Sequence, residues 1–177
     1  MNSGGDDHRG LHVSLRVPLA WRPMSAGEVD GILQRTAMVL QLLNLQGESS
    51  PLPEAGEEAR QAWRHLDRKL DVIIAMLGLL LAQGGEGGEV VPSRLDPRGI
   101  EWAARTGPEA GRPVVVRLQL PGAPALELPG TAQPAADGRW RVAFDAWPEA
   151  VAEQLEKWIF RQHRQAVARA RQKTPPS

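Results

Sequence analysis

The sequence predicts an α+β fold that combines a small antiparallel β-barrel with two long helices and a C-terminal helix. Region 89–145 is rich in Gly, Pro and Val and holds short alternating apolar segments separated by turns, which is typical of a small barrel. Region 25–82 has apolar residues at helical spacing, interrupted by a Pro-containing loop. Region 148–172 again has helical spacing, with Pro148 at its first turn.

Composition limits the classes of partner. The 177 residues include 21 Lys and Arg against 21 Asp and Glu, a formal net charge of +0, so no nucleic acid or membrane surface is required as a partner. There is no Cys, which excludes disulfides and fits a reducing cytoplasm. The N-terminus is no secretory signal, and the longest uncharged run, Val72–Gly85, is shorter than the roughly 18 residues of a spanning helix. We therefore expect a cytoplasmic protein without membrane insertion.

The N-terminal part predicts one strand and then one helix. Leu11–Trp21 alternates loosely and is followed by Pro23, as expected for a strand. Ser25 with Glu28 three residues later forms a capping-box beginning for the helix, and Gly47 is its expected end. We expect this helix to fold back on the second one as a hairpin through its own apolar stripe, which comprises Val29, Ile32, Thr36, Val39 and Leu43, with Leu33 and Leu40 beside it.

The second helix, expected from near Glu57 to the Gly-rich segment Gly84–Gly88, carries a coiled-coil seam. Between Ala59 and Leu81, six apolar residues follow one another at spacings of 3, 4, 3, 4 and 3 positions. This is the heptad pattern by which helices associate. The seam residues are Trp63, Leu66, Leu70, Ile73, Leu77 and Leu80.

After Asp71 this helix becomes apolar on nearly every side. A helix that is apolar all round must be buried all round, and the predicted hairpin covers one side only. Leu at a positions with Ile at a d position also favours bundles of more than two helices. We therefore expect a homo-oligomer, with a tetramer favoured over a dimer; a monomeric hairpin is the alternative. The residues that join the seam are Val72, Ile74, Met76, Leu79 and Leu81.

The barrel region predicts further strands. Pro113–Leu120 alternates, with four apolar residues on one face, and Ala125–Gln133 is a strand that Pro129 confines to an edge or a bulge. Arg139–Asp145 alternates charged residues with an inward set of Trp140, Val142 and Phe144. The C-terminal helix has its own inner stripe of Val151, Leu155, Trp158, Ile159 and Gln162.

The order of these motifs resembles the PilZ family, a small β-barrel with a C-terminal helix used in bacterial cyclic di-GMP signalling. Leu15–Leu19 is similar to the family's first strand, Gly99–Trp102 to the end of its ligand loop, and Glu153–Arg164 to its closing helix. The two helices then form an insertion after the first strand. The resemblance implies four parts: 11–23, the first barrel strand; 25–83, an inserted helical oligomerisation segment; 88–147, the barrel; and 148–172, the C-terminal helix.

The two ligand signatures of that family are degenerate here. The family's R-x-x-x-R before the first strand is missing, because Arg9, Arg16 and Arg22 stand 7 and 6 positions apart. In the loop corresponding to [D/N]-x-S-x-x-G, Gly99 fits, whereas Arg94 replaces the acidic residue and Asp96 replaces Ser. A carboxylate at position 96 repels an anionic ligand, so we expect weak or no binding of cyclic di-GMP. Arg94 and Arg98 are the alternative ligand residues.

No signature of catalysis or of metal binding is apparent. The His residues lack metal-ligand spacing, and no phosphate-binding loop or nucleophile motif occurs. We expect no enzyme, no metal and no cofactor. Arg60 and Arg64 satisfy R-x-x-x-R but lie on the helix that carries the seam. We therefore interpret them as part of its solvated face and not as ligand residues. The last helix ends in basic residues, which interact favourably with the negative end of the helix dipole. The alternative is that they dock on an acidic protein or on nucleic acid.

The sequence thus favours a non-enzymatic PilZ-like signalling scaffold that oligomerises through the seam. The resemblance implies a protein partner in motility or secretion. A cyclic di-GMP receptor that uses non-consensus residues is the competing interpretation.

Overall fold

The computed structural model describes residues 10–45, 56–82, 88–104, 106–145 and 147–172. These residues form six strands, three α-helices and one short 3-10 turn at Ala136–Gly138. In chain order the elements are β1 (Val13–Pro23), α1 (Val29–Leu45), α2 (Glu57–Ala82), β2 (Glu89–Asp96), β3 (Gly99–Ala103), β4 (Pro113–Leu118), β5 (Leu126–Pro134), β6 (Arg139–Ala143) and α3 (Glu149–Gln172). The predicted α+β class is confirmed.

The strands close into an antiparallel barrel in the order β1-β2-β3-β6-β5-β4. The long strand β1 serves two neighbours, since its first part pairs with β2 and its second part with β4, and Leu19 is in register with both Glu89 and Leu118. The helices α1 and α2 lie between β1 and β2 in sequence, although these strands are neighbours in the barrel. The helical segment is therefore an insertion in the barrel.

Alternation along the strands produces the core. Val114, Val116 and Leu118 on β4 are buried, as predicted, and Trp102 on β3 is 2% exposed. Pro129 lies in β5 just before the β5–β6 ladder, which begins at Thr131. On its other side Pro129 is opposite Val115 in the β4–β5 ladder. The predicted edge position therefore holds only toward β6, where no ladder pairing is interrupted.

Helix α3 closes the barrel through its predicted stripe. Val151, Leu155, Trp158 and Ile159 are buried in the main core and Gln162 is half-buried. At the start of this helix, Trp147 stacks on Phe144, and its indole Nε1–H donates to the carbonyl of Pro129 at 3.0 Å.

The predicted α1–α2 hairpin is wrong. Helix α1 packs against β5 and α3, and it has no extensive contact with α2 among the described residues. Most of the predicted stripe of α1 is buried there, including Ile32 and Leu43, as is Leu40 beside it, whereas Val29 is 38% exposed. The hydroxyl of Thr36 lies 2.6 Å from the carbonyl oxygen of Glu127 on β5. On β5 and α3, helix α1 finds polar partners for its side chains as well as apolar contacts.

The beginning of α1 differs from the prediction by four residues. Ser25 and Glu28 do interact, because the Glu28 carboxylate accepts a hydrogen bond from the Ser25 backbone N–H at 2.7 Å. They hold a turn before the helix instead of its first turn, and Gly27 supplies the left-handed residue of that turn with φ +83°. The backbone N–H of Ser25, followed by the guanidinium of Arg22, lowers the pKa of Glu28 from its ordinary value. The expected end at Gly47 lies outside the described residues.

The end of α1 is held by α3. The guanidinium of Arg161 donates to the carbonyl oxygens of Leu43 and Asn44, the latter at 2.6 Å. The side chain of Asn44 in turn donates to the carbonyl oxygen of Gln154 at 3.0 Å. A cation at the C-terminus of a helix satisfies free carbonyl groups and opposes the helix dipole.

Among the described residues, no helix combines the length and hydropathy needed to cross a bilayer.

Candidate functional site

Helix α2 exposes its seam to solvent in the single chain. It runs over 26 residues and has no extensive contact with any other described element. Trp63, Leu66, Leu70 and Ile73 are 54%, 48%, 49% and 53% exposed. Leu77 and Leu80, which complete the predicted seam, belong to the same helix, and their side chains lie outside the described residues. Four large apolar side chains are thus exposed on one face of the helix, and contiguous exposed apolar surface is typical of interaction sites.

The R-x-x-x-R pair of α2 lies on a charged, solvated face. Arg64 and Arg60 both approach the carboxylate of Glu57, at 3.3 and 4.0 Å, and the Glu57 side chain is 79% exposed. The Nε–H of Arg64 also donates to the backbone carbonyl of Arg60 at 3.3 Å. Both guanidinium groups thus form their contacts within α2 itself. This agrees with a charged face that is solvated at the beginning of the helix.

The degenerate ligand loop is a tight hairpin between β2 and β3. Asp96 pairs with Gly99 across the hairpin, and Pro97 and Arg98 form its turn. The Asp96 Oδ1 accepts a hydrogen bond from the backbone N–H of Arg98 at 2.8 Å. The carboxylate is thereby folded back over its own turn, as an Asp at a turn commonly is.

Arg141 on β6 grips the same carboxylate with both of its terminal nitrogens. The two hydrogen bonds, from Nη1 to Oδ2 and from Nη2 to Oδ1, are 2.9 and 3.0 Å long. Both side chains are only about a quarter exposed, at 28% for Arg141 and 22% for Asp96. A bidentate guanidinium–carboxylate pair is the strongest form of this contact. It fills the loop position that the family resemblance assigns to a ligand.

The close packing of β3 against β6 requires a glycine at position 99. A Cβ at this position would lie 2.6 Å from the carbonyl oxygen of Val142 and 2.8 Å from Nη2 of Arg141. Only glycine therefore allows β3 and β6 to approach here with Arg141 turned toward Asp96. The match of Gly99 to the family motif is explained by strand packing alone.

Two exposed arginines border the loop. Arg98 lies in the turn and Arg94 lies on β2, where one of its terminal nitrogens is 3.5 Å from Nδ1 of His12. The described part of the upstream arginine set is dispersed: Arg16 is exposed on β1, and Arg22 is paired with Glu28 at 3.0 Å. Arg9 lies outside the described residues. Arg94 and Arg98 are thus the cations of the predicted set that face solvent beside the loop.

The sequence reasoning did not identify Arg141, Glu101 or Arg161 as partners of other groups. Arg141 and Arg139 alternate outward along β6, and Arg139 forms an ion pair with Glu101 on the neighbouring strand. The alternation along β6 predicts that both arginines point away from the barrel core. The pairing with Asp96 depends on the order of the strands in the barrel, which the sequence does not specify. Across the described residues, no group of three or more His, Cys, Asp or Glu could hold a metal ion.

Comparisons with known proteins agree with this architecture. The chain matches the family model described as "Atypical PilZ domain, cyclic di-GMP receptor" over residues 37–172. It is similar to the crystal structure of a pathogenic protein from Xanthomonas campestris, described as a tetrameric PilZ domain self-assembled via an unusual helical bundle. The two share 25% identity and a TM-score of 0.67 over 91% of this chain and 92% of that chain. None of the curated proteins matches the chain. The chain therefore belongs to the atypical PilZ domain family, as its motifs predicted.

Proposed function

We propose that this protein is a non-enzymatic PilZ scaffold that assembles as a tetramer through α2 and presents its barrels to a protein partner. In this proposal, direct binding of cyclic di-GMP is weak or absent. The observation that carries the proposal is the heptad seam of α2, whose described side chains are about half exposed while the barrel core is complete without them.

Energetics favour a bundle over a helix pair. Full burial of a large apolar side chain is worth about 1.5–3 kcal/mol, so burying the exposed half of four such side chains gives roughly 3–6 kcal/mol per helix. Association costs about 4–15 kcal/mol, which makes one helix pair marginal. In a four-helix bundle each helix contacts two neighbours, and the apolar region 72–82 is covered on more than one side. The helical bundle described for the Xanthomonas campestris tetramer supports this choice.

The Asp96–Arg141 pair supports weak or absent binding of cyclic di-GMP. A ligand phosphate that sought a guanidinium here would have to displace a carboxylate held by three hydrogen bonds. Asp96 also brings negative charge to the place where an anion would approach. The loop thus contains an internal ion pair where a receptor needs a free donor.

A direct receptor function is the second candidate. The family description as a cyclic di-GMP receptor and the solvent-facing Arg94 and Arg98 favour it. Titration calorimetry separates the two candidates. We expect no heat of binding at micromolar protein and ligand, and a micromolar or tighter constant that is lost in Arg94→Ala or Arg98→Ala would support the receptor instead.

The partner in this proposal is a protein of a motility or secretion system, as the family resemblance suggests. Assembly through α2 would leave several barrels on one particle, and multivalent display raises avidity without new contacts. Pull-down with the intact chain and with the dissociated variant described below tests this point. Capture by the intact chain and loss of capture by the variant would agree with avidity.

Light scattering on the purified chain tests the assembly. We expect the mass of four chains at micromolar concentration, and the mass of one chain for Leu70→Asp combined with Leu77→Asp, because two buried carboxylates per helix are costly in a bundle core. Arg68→Asp is the matched control, since it places the same side chain on the same helix outside the seam. A one-chain mass for the unmodified protein would overturn the proposal.

A further inference from the structure

Helix α3 has a second stripe, opposite the one that it buries on the barrel. Successive residues of an α-helix are rotated by about 100° around its axis. By this rotation the residues of the second stripe lie on the side of α3 that is opposite to Leu155 and Ile159. Phe160 is 52% exposed and Val167 is 38% exposed, two of the large apolar side chains that the fold leaves in water. We call this set the outer stripe of α3; it consists of Glu153, Glu156, Phe160, Arg164, Val167 and Arg171, all exposed.

Charge along the outer stripe runs from acidic to basic, with Phe160 before and Val167 after the cation Arg164. The acidic end is formed by Glu153 and Glu156, and the basic end by Arg171. Within the described part of the chain, neither Glu156 nor Arg171 forms an ion pair with another residue. The helix dipole explains the order of the charges, and the guanidinium of Arg164 lies over the ring of Phe160, 5.8 Å from its centre. Neither explains the exposed Val167.

The last turns of α3 project from the rest of the fold. Every residue from 164 to 171 is exposed, so this part of the helix has no face covered by the barrel or by α1. It is rich in Ala and Arg, which favour a helix without tertiary support. The small Ala166 and Ala170 next to Val167 leave room for another helix to come close.

We propose that the outer stripe of α3 pairs antiparallel with the same stripe of a second copy of the chain. When Phe160 faces Val167 of the second copy, Glu156 faces Arg171, because both pairs of residue numbers have the same sum. The two-fold axis of such a contact repeats each pair, which gives two apolar contacts and two ion pairs.

Neighbouring registers do not give this match. A shift of one helical turn sets Phe160 against Arg171, or against Arg164 with Glu153 then facing Arg171, so only the proposed register pairs the two apolar side chains. A parallel arrangement sets like charges against each other. The apolar pair therefore selects the register, and the order of the charges selects the antiparallel direction. In this register the two Arg164 side chains lie beside each other near the two-fold axis.

The contact is small compared with the roughly 20–30 residues a side of a stable interface. It acts as an accessory contact between chains that are brought together by high concentration or by another interface. The proposal does not depend on the α2 bundle, because the contact can form between two chains of one oligomer or between chains of two oligomers.

Cysteine cross-linking tests the register directly, because the chain contains no Cys. Phe160→Cys and Val167→Cys chains with tags of different size are co-expressed and oxidised. We expect the mixed disulfide to exceed both homodisulfides. The control pairs Phe160→Cys with Gln165→Cys, which is exposed on the same projecting turns but lies off the stripe. A Phe160→Cys homodisulfide that equals or exceeds the mixed product would overturn the proposal.

Charge reversal tests the ion pairs. Because an exposed ion pair is weak but occurs twice here, Glu156→Arg should lower the yield of mixed disulfide roughly three- to tenfold. Combining it with Arg171→Glu should restore the yield. Glu153→Arg is the matched control: it makes the same charge change, and its counterpart position 174 lies beyond the end of α3. Circular dichroism confirms that each variant folds. Failure of the double reversal to restore the yield would also overturn the proposal.

Discussion

Helices α2 and α3 have similar lengths, 26 and 24 residues, and both carry an apolar stripe at helical spacing. Helix α3 buries its inner stripe on the barrel of its own chain, where Leu155 and Ile159 are 0% exposed, whereas Leu66 and Leu70 on α2 remain about half exposed. The difference teaches that helical periodicity reveals a face to be buried but not the surface that buries it. In α3 that surface is internal, whereas no other described element packs extensively on α2.

The largest expected difference between the two helices concerns the stability of the single chain. In the Leu70→Asp, Leu77→Asp background, Leu155→Ala should lower the free energy of unfolding by about 2–5 kcal/mol, since it removes a fully buried side chain from the core. Leu66→Ala in the same background should lower it by less than about 0.5 kcal/mol. Urea unfolding followed by Trp fluorescence measures both. Equal losses would mean that α2 is packed within its own chain after all.

A smaller effect should come from the link between α3 and α1. Arg161→Gln removes the charge that holds the last carbonyl groups of α1, and hydrogen bonds to charged groups are worth about 1.5–3 kcal/mol. We expect a loss of about 1–2 kcal/mol in urea unfolding and faster amide exchange near Leu43. Arg164→Gln, one turn later and exposed, is the control and should change little. Unchanged stability of Arg161→Gln would show that the barrel alone anchors α1.

The loop ion pair should contribute less, because both side chains keep part of their contact with water. Arg141→Gln should cost about 0.5–1.5 kcal/mol, and Asp96→Asn should cost a similar amount. A double-mutant cycle isolates their coupling. If the pair also opposes anion binding, Asp96→Asn should raise any measurable affinity for cyclic di-GMP, whereas Glu109→Gln, which alters another exposed carboxylate, should not. A decrease in affinity would assign Asp96 a role in ligand binding.

The smallest effect concerns the beginning of α1. The pKa of Glu28 is lowered in the folded chain, so its contribution to stability is present above the unfolded value near 4.5 and is lost as the pH falls through the folded value. Glu28→Gln should therefore destabilise the chain slightly at pH 7 and progressively less as the pH falls below 4.5, as measured by thermal unfolding between pH 7 and pH 3. Asp30→Asn, the neighbouring exposed carboxylate, is the control. A difference that is undiminished at pH 3 would assign the role of Glu28 to something other than its charge.

Sequence reasoning succeeded where neighbouring residues decide the outcome. The stripe of α3 and the extent of α2 follow from spacing and from breakers such as Pro and Gly, and both agree with the structure. The predicted alternation holds in part, because Val115 on β4 is buried as well and Trp140 and Phe144 are only half-buried. Sequence reasoning failed for the partner of α1, because several apolar surfaces could accept the same stripe. The sequence identified the carboxylate of Asp96 in the loop but not its ion-pair partner Arg141, which is 45 positions away in sequence.

The sequence by itself determined that the chain has a barrel, an inserted pair of helices and a heptad seam, because each of these is encoded by a local period of apolar residues. Only the tertiary structure decided which surface each helix uses. Barrel closure sets β5 and α3 beside α1, sets Arg141 beside Asp96, and leaves the described part of the α2 seam in solvent. These outcomes depend on contacts between residues far apart in the chain, and no local pattern specifies them.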